Sequence, residues 1–241
     1  MFIDRMARRA ARAALDFVYP PRCLSCSERI EVEDVLCPAC LTTLVPFPLT
    51  AEQSVSHLAA MSVVSDARWM SVGYEFETGS PLAEVIHSMK YRGMHRIGKW
   101  LGRLLGERLI GTDAVAGGPL LVPVPLHRIK KLERGYNQAE MICVGIAEET
   151  GLEADAGALR RARYTRSQAA CRLDRDERRS NVMNAFAADP GNGILQNRPV
   201  LVVDDLITTG ATIAACASAL VDAGVRDVRL LAVARPPGRV G

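Results

Sequence analysis

Residues 198–224 read RPVLVVDDLITTGATIAACASALVDAG, and the rest of the chain can be arranged around this stretch. Pro199 closes a loop. The run Val200 to Val203 is too short and too β-branched for a helix, so it reads as a buried strand of a parallel sheet. Asp204 and Asp205 then fall where that strand emerges at its carboxyl end, the edge of an open α/β sheet at which ligands bind. Thr208, Thr209, Gly210, Ala211 and Thr212 follow, with three hydroxyls and small side chains around a glycine. Backbone N–H groups of such a loop can approach an anion closely. The amphipathic run from Ile213 (Ile213, Ala217, Leu220, Val221) supplies a helix whose positive N-terminus faces the same spot, with Gly224 as its cap.

Two carboxylates beside an anion cradle suit a ligand with vicinal hydroxyls and a phosphate: the acids accept from the diol and the loop holds the phosphate. LVVDDLITTGAT resembles the phosphoribosyl-pyrophosphate (PRPP) motif of type I phosphoribosyltransferases, with acids, threonines and glycine in order.

Composition sets the outer bounds. The 241 residues suffice for one large domain or a domain with an appendage, and 24% charged with 49% hydrophobic residues describes an ordinary globular protein. A net charge of +3 allows an anionic substrate without announcing a nucleic-acid or membrane partner. No apolar run approaches the ~18 residues of a membrane span. Of seven cysteines, four form two CxxC pairs and Cys143, Cys171 and Cys216 are scattered, which points to a reducing cytoplasm rather than a disulfide framework.

The pairs Cys23/Cys26 and Cys37/Cys40 stand ten residues apart, the arrangement that brings four thiolates to one tetrahedral Zn²⁺. Four thiolates leave no open position, so the metal is structural, in a small ribbon expected to lie outside the sheet's hydrophobic core. Before it, residues 1–19 read as an Ala- and Arg-rich amphipathic helix ended by Pro20-Pro21; after it, residues 46–67 read as a connection, which places a boundary between modules 1–50 and 51–241. Trp69 to Glu77 alternates like a strand, Pro81 opens a helix, and a second helix spans Ile97 to Ile110 with Trp100, Leu101, Leu104, Leu105 and Leu109 on its buried side. LLVPVPLH (120–127) is a short strand interrupted by prolines, RIKKLERGYNQAE a basic loop entering a helix at Asn137, and DVRLLAVAR a last buried strand. Between them, residues 159–179 are the most arginine-rich part of the chain and suit a lid over a pyrophosphate.

In order, FVYPPRC, the paired CxxC, MKYRG (89–93), VPVPLH, ERGYNQA (133–139), RYTRSQ, RRSNVMNAF and LVVDDLITTGAT resemble the ComF family, competence protein F-like and amidophosphoribosyltransferase-like, over nearly the whole chain. The resemblance implies a type I phosphoribosyltransferase fold, mostly parallel sheet flanked by helices, with an N-terminal helix and four-cysteine zinc ribbon. It implies that Asp204 and Asp205 bind the ribose hydroxyls, Thr208 to Thr212 the 5′-phosphate, and the turn at Pro125 and Leu126 the pyrophosphate, with Arg163 and Arg166 in the lid and Mg²⁺ arriving with PRPP. Three functions follow from it: phosphoribosyl transfer with release of pyrophosphate; DNA uptake by a non-catalytic factor that binds single-stranded DNA, with PRPP or a nucleotide as regulator; and docking of a helicase-like competence protein.

Overall fold

The computed structural model describes residues 20–50, 52, 54, 67–161, 185–189, 195 and 198–236. Its elements are α1 (Pro38–Leu41), β1 (Val45–Pro46), β2 (Trp69–Glu75), α2 (Pro81–Tyr91), α3 (His95–Leu109), β3 (Leu120–Pro123), α4 (Arg128–Arg134), α5 (Gln138–Thr150), β4 (Leu159–Arg161), β5 (Phe186–Ala188), β6 (Val200–Leu206), α6 (Ala211–Asp222) and β7 (Val228–Arg235). Among the described residues the main sheet has the order β1-β2-β7-β6-β3. Only the short β1 runs antiparallel to its neighbour; β2, β7, β6 and β3 are parallel. The expected mixed α/β architecture with a mostly parallel sheet is what is found.

Because side chains alternate across a strand, the two faces of β6 and β7 feed two cores. Leu201, Val203, Leu231 and Val233 pack with residues of α2, α3 and α5, whereas Val200, Val202, Leu230 and Ala232 pack under α6 and against Phe186 of β5. The near-continuous Val/Ile/Leu runs of these strands are the signature of a sheet covered on both sides.

On the first face α3 and α5 approach unusually closely. Gly98, Gly102 and Gly106 form an i, i+4 stripe on α3, and Gly145 stands opposite on α5. A Cβ at Gly102 would lie 2.1 Å from the Ile142 carbonyl oxygen, and one at Gly145 would lie 2.0 Å from that of Lys99. Both obstacles are backbone, which cannot swing aside.

Several elements depart from their sequence reading. The strand β6 continues through both acids to Leu206, and α6 begins at Ala211. The stretch read as a loop at 128–134 is the helix α4, capped by His127 at its start and by left-handed Gly135 at its end; its Ile129 and Leu132 are exposed, so no buried stripe marked it in the sequence. The cysteine ribbon does not lie outside the core: although Cys26 is exposed, Cys23, Val35, Leu36, Cys37 and Leu44 belong to the same hydrophobic cluster as Leu82, Leu101 and Val233. The ribbon is too small to bury these side chains by itself, and α2 and α3 offer the apolar face that does so. Residues 1–19 fall outside the described residues.

The glycine contact makes a testable reversal of helix propensity. Alanine ordinarily stabilises a helix interior by about 1 kcal/mol over glycine, but Gly102→Ala should destabilise this protein by about 1–3 kcal/mol through overpacking. Urea denaturation of the variant checks it; a midpoint at or above that of the parent would show that the helices can separate freely.

Candidate functional site

The cleft at the carboxyl edge of the sheet measures about 470 Å³. One wall comes from β6 and α6, with Asp204, Asp205 and Thr212; the other comes from the β3 exit, α4 and the start of α5, with Pro125, Leu126, Lys130, Arg134 and Gln138. Of the residues expected to form a site, the structure therefore brings Asp204, Asp205, Thr212, Pro125 and Leu126 together. Thr208 and Thr209 are exposed on the adjoining loop and, with Gly210 and Ala211, do not form the cleft lining. Gly210 adopts φ 74°, a left-handed conformation natural only to glycine, and stands as the N-cap of α6 without a side-chain cap. Ala211 N–H donates to Thr209 Oγ1 at 3.5 Å, and the remaining first-turn N–H groups of α6 keep the capacity to meet an anion beside Thr212. Arg163 and Arg166 lie outside the described residues.

The opposite wall is fastened by Asn137. Its Nδ2 donates to the Val124 carbonyl (3.0 Å) and its Oδ1 accepts from Ala139 N (3.1 Å), so a single buried side chain both caps α5 and holds it to the β3 exit. Tyr136 beside it donates its hydroxyl to the Met89 carbonyl at 2.5 Å, linking the same turn to α2.

Electrostatics distinguish the two acids. Lys90, in the last turn of α2, places Nζ 2.9 Å from Asp205 Oδ2, both side chains being largely buried. Asp204 accepts from the backbone N–H of Asp205 (2.8 Å). Burial, followed by the charge of Asp205, pushes the Asp204 carboxyl up to about 8, against the opposing pull of the Asp205 N–H and the Lys90 ammonium. The pair can therefore offer one acceptor-only carboxylate and one group that both donates and accepts. Sequence reasoning assigned no role to Lys90 or Gln138, which also line the cleft, as does Arg161 from the arginine-rich stretch. The motifs MKYRG and ERGYNQA contain the first two, but a lysine in the last turn of a helix ordinarily reads as a partner for the helix dipole.

The second site is the cysteine cluster. The sulfurs of Cys23, Cys26, Cys37 and Cys40 all lie within 4.8 Å of one another, and those of Cys26 and Cys37 are 3.5 Å apart. Tetrahedral Zn–S bonds of about 2.3 Å require sulfur separations of about 3.8 Å, so the group fits the ion. Burial opposes ionisation of Cys23, but N–H groups of Cys26, Cys37 and Ser25 outweigh it and bring that thiol down to about 6. No helix among the described residues is long and apolar enough to cross a membrane.

The double zinc ribbon domain family matches residues 14–52. DNA utilization protein YhgH of Salmonella typhi is 31% identical over 159 residues, covering 64% of this chain and 67% of that protein. Competence protein F of Haemophilus influenzae is 26% identical over 228 residues, covering 89% of this chain and 96% of that protein. The chain belongs to the ComF family. As a ComF protein it also shows a limited likeness to a solved allosteric regulatory enzyme of purine biosynthesis, with 24% identity and a TM-score of 0.37 over 57% of this chain and 25% of that one.

Two measurements follow from the site geometry. Because Trp69 and Trp100 share the hydrophobic cluster of Cys23 and Cys37, removing zinc by chelation or by Cys37→Ser should lower the melting temperature read by tryptophan fluorescence by at least about 5 °C, equivalent to about 2 kcal/mol; an unchanged transition would uncouple the ribbon from the sheet. For Asp204, the folded chain retains a proton up to about pH 8 that the unfolded chain releases near pH 4. Stability should accordingly fall as pH rises through that window. Asp204→Asn should flatten the profile and raise stability at pH 8.5 by at least about 1 kcal/mol; a steeper loss in the variant would mean that the carboxylate is favourably solvated.

Proposed function

We propose that the cleft binds PRPP or a related phosphorylated ribose and that, in keeping with the names of its DNA utilization and competence relatives, the protein acts in the use of incoming DNA. The observation that carries this reading is the convergence, in one cleft, of an acid pair on β6, Thr212 at the N-terminus of α6, and Lys130 and Arg134 on the facing wall. Asp204 and Asp205 would take the ribose hydroxyls. The loop from Thr208 to Thr212 would take the 5′-phosphate, and the turn at Pro125 and Leu126 with the basic side chains of α4 the pyrophosphate. Mg²⁺ would enter with PRPP and neutralise its phosphate oxygens when bound. Phosphoribosyl transfer to an acceptor, with pyrophosphate leaving, is the chemistry this arrangement can support by positioning and charge stabilisation. Residues 1–50 would serve as the zinc-ribbon module and 51–241 as the ligand-binding domain in the cytoplasm.

A specific observation favours a second role at the rim. Tyr91, Ile129 and Leu132 are all more than half exposed, and Arg134 lies over the Tyr91 ring at 5.8 Å. An exposed aromatic beside basic side chains suits stacking of single-stranded DNA, with PRPP as regulator and the ribbon free to dock a helicase-like partner. Salt-dependent binding of an oligonucleotide, weakened by Tyr91→Ala, would support it.

Calorimetry with PRPP and Mg²⁺ tests the primary reading. Asp205→Asn should weaken binding more than Asp204→Asn, because asparagine imitates a protonated Asp204 but removes the partner of Lys90. The double variant should lose at least tenfold in affinity, about 1.4 kcal/mol, while remaining folded; unchanged affinity in the double variant would reject the site.

A further inference from the structure

Gln138 stands at the first position of α5, is 2% exposed, and contributes to the lining of the cleft. Its Oε1 accepts from Arg134 Nη1 at 3.0 Å. Arginine has no acceptor, so this contact settles which end of the carboxamide is oxygen and leaves Nε2 at the other end. That Nε2 is buried and makes no well-formed hydrogen bond among the described residues; the neighbouring Tyr136 hydroxyl, which donates to Met89, interacts with the carboxamide without satisfying it. A buried donor without an acceptor is costly and rare in folded proteins. Nor does the chain lack the means to hold the group still: Asn137, its neighbour, is bonded to Val124 and to the α5 backbone.

We infer that Gln138 is a ligand-reading donor whose carboxamide N–H meets an oxygen of the pyrophosphate moiety. The inference rests on the proposed phosphorylated-ribose reading and adds to it a residue that selects the leaving-group end. The side of the cleft decides which part of the ligand is met. Gln138 shares its wall with Arg134 and Lys130, whereas both acids that suit a diol stand on β6. A phosphate oxygen, always an acceptor, satisfies an amide N–H beside a guanidinium and a helix N-terminus. A donor already in place when charge accumulates on the departing pyrophosphate favours that departure. Arg134 is oriented by the same carboxamide, so one residue both contacts the diphosphate and positions a second contact.

The test uses the full, zinc-loaded chain and isothermal calorimetry with inorganic pyrophosphate, PRPP plus Mg²⁺, and ribose 5-phosphate. Gln138→Met keeps the shape and removes the donor; Gln138→Glu keeps the shape and replaces the donor by a negative acceptor. The methionine variant should bind pyrophosphate and PRPP at least tenfold more weakly, bind ribose 5-phosphate within twofold of the parent, and melt no lower than the parent. The glutamate variant should lose pyrophosphate more severely than the methionine variant. Parental pyrophosphate affinity in both variants would overturn the inference, as would equal loss of all three ligands together with a lowered melting temperature, which would mark a structural role. Parent protein that binds ribose 5-phosphate but not pyrophosphate would remove this inference alone; parent protein that binds none of the three would remove the underlying reading as well.

Discussion

The cleft exists because β6 loses its hydrogen-bonding neighbour on one side just where its acids begin. Paired residue by residue from Leu120↔Val200 to Pro123↔Val203, β3 then makes one more bond, from Val124 N to the Val203 carbonyl. Pro123 and Pro125 supply no N–H, so the ladder cannot continue and the chain turns away. On the other side β7 stays in register, with Asp204 opposite Ala232 and Leu206 opposite Ala234. One half of the acid pair's backbone surroundings is therefore rigid sheet and the other half is open space. The outer edge of β3 is itself covered, through bonds between Leu121 and the stretch Glu153–Asp155, so the opening is confined to the carboxyl end.

That opening places charge in a poorly solvated position, and the surrounding elements compensate. The ammonium of Lys90 reaches Asp205 from α2, and Tyr136 ties the end of α2 to the turn before α5. The helices α2 and α3 in turn share a core with the cysteine ribbon, and Arg96 of α3 donates to the carbonyls of Val32 and Asp34 within it. A mechanical line therefore runs from the metal cluster through α2 to the acid pair. Loss of the ribbon would be felt at the cleft through Lys90, although none of the cysteines lines it.

Much of this was legible in the sequence because it depends on local chemistry. The run Val200 to Val203 could scarcely be anything but a buried strand, the order of acids, threonines and glycine marks the carboxyl edge, and CxxC spacing is a direct consequence of tetrahedral coordination. What stayed hidden depends on partners distant in the chain. Gly102 and Gly145 look like weak points in two helices until the Ile142 and Lys99 carbonyls are seen against them. The helix α4 escaped notice because it buries no apolar face, and the role of Lys90 becomes visible only when α2 is set against β6. The cysteines were read as standing apart from the core since nothing in their spacing tells which surface will cover Val35 and Leu36.

On the proposed reading, a phosphorylated ribose binds at the proline-opened carboxyl edge of β3 and β6. Hydrogen–deuterium exchange with and without PRPP and Mg²⁺ addresses it most directly, since it reports where protection arises along the chain. Slowed exchange is expected in peptides covering 120–139 and 201–213, with the opposite end of the sheet unchanged. Absence of protection in those peptides, or protection confined to the groove bounded by Thr43, Phe76 and Pro81, would contradict it.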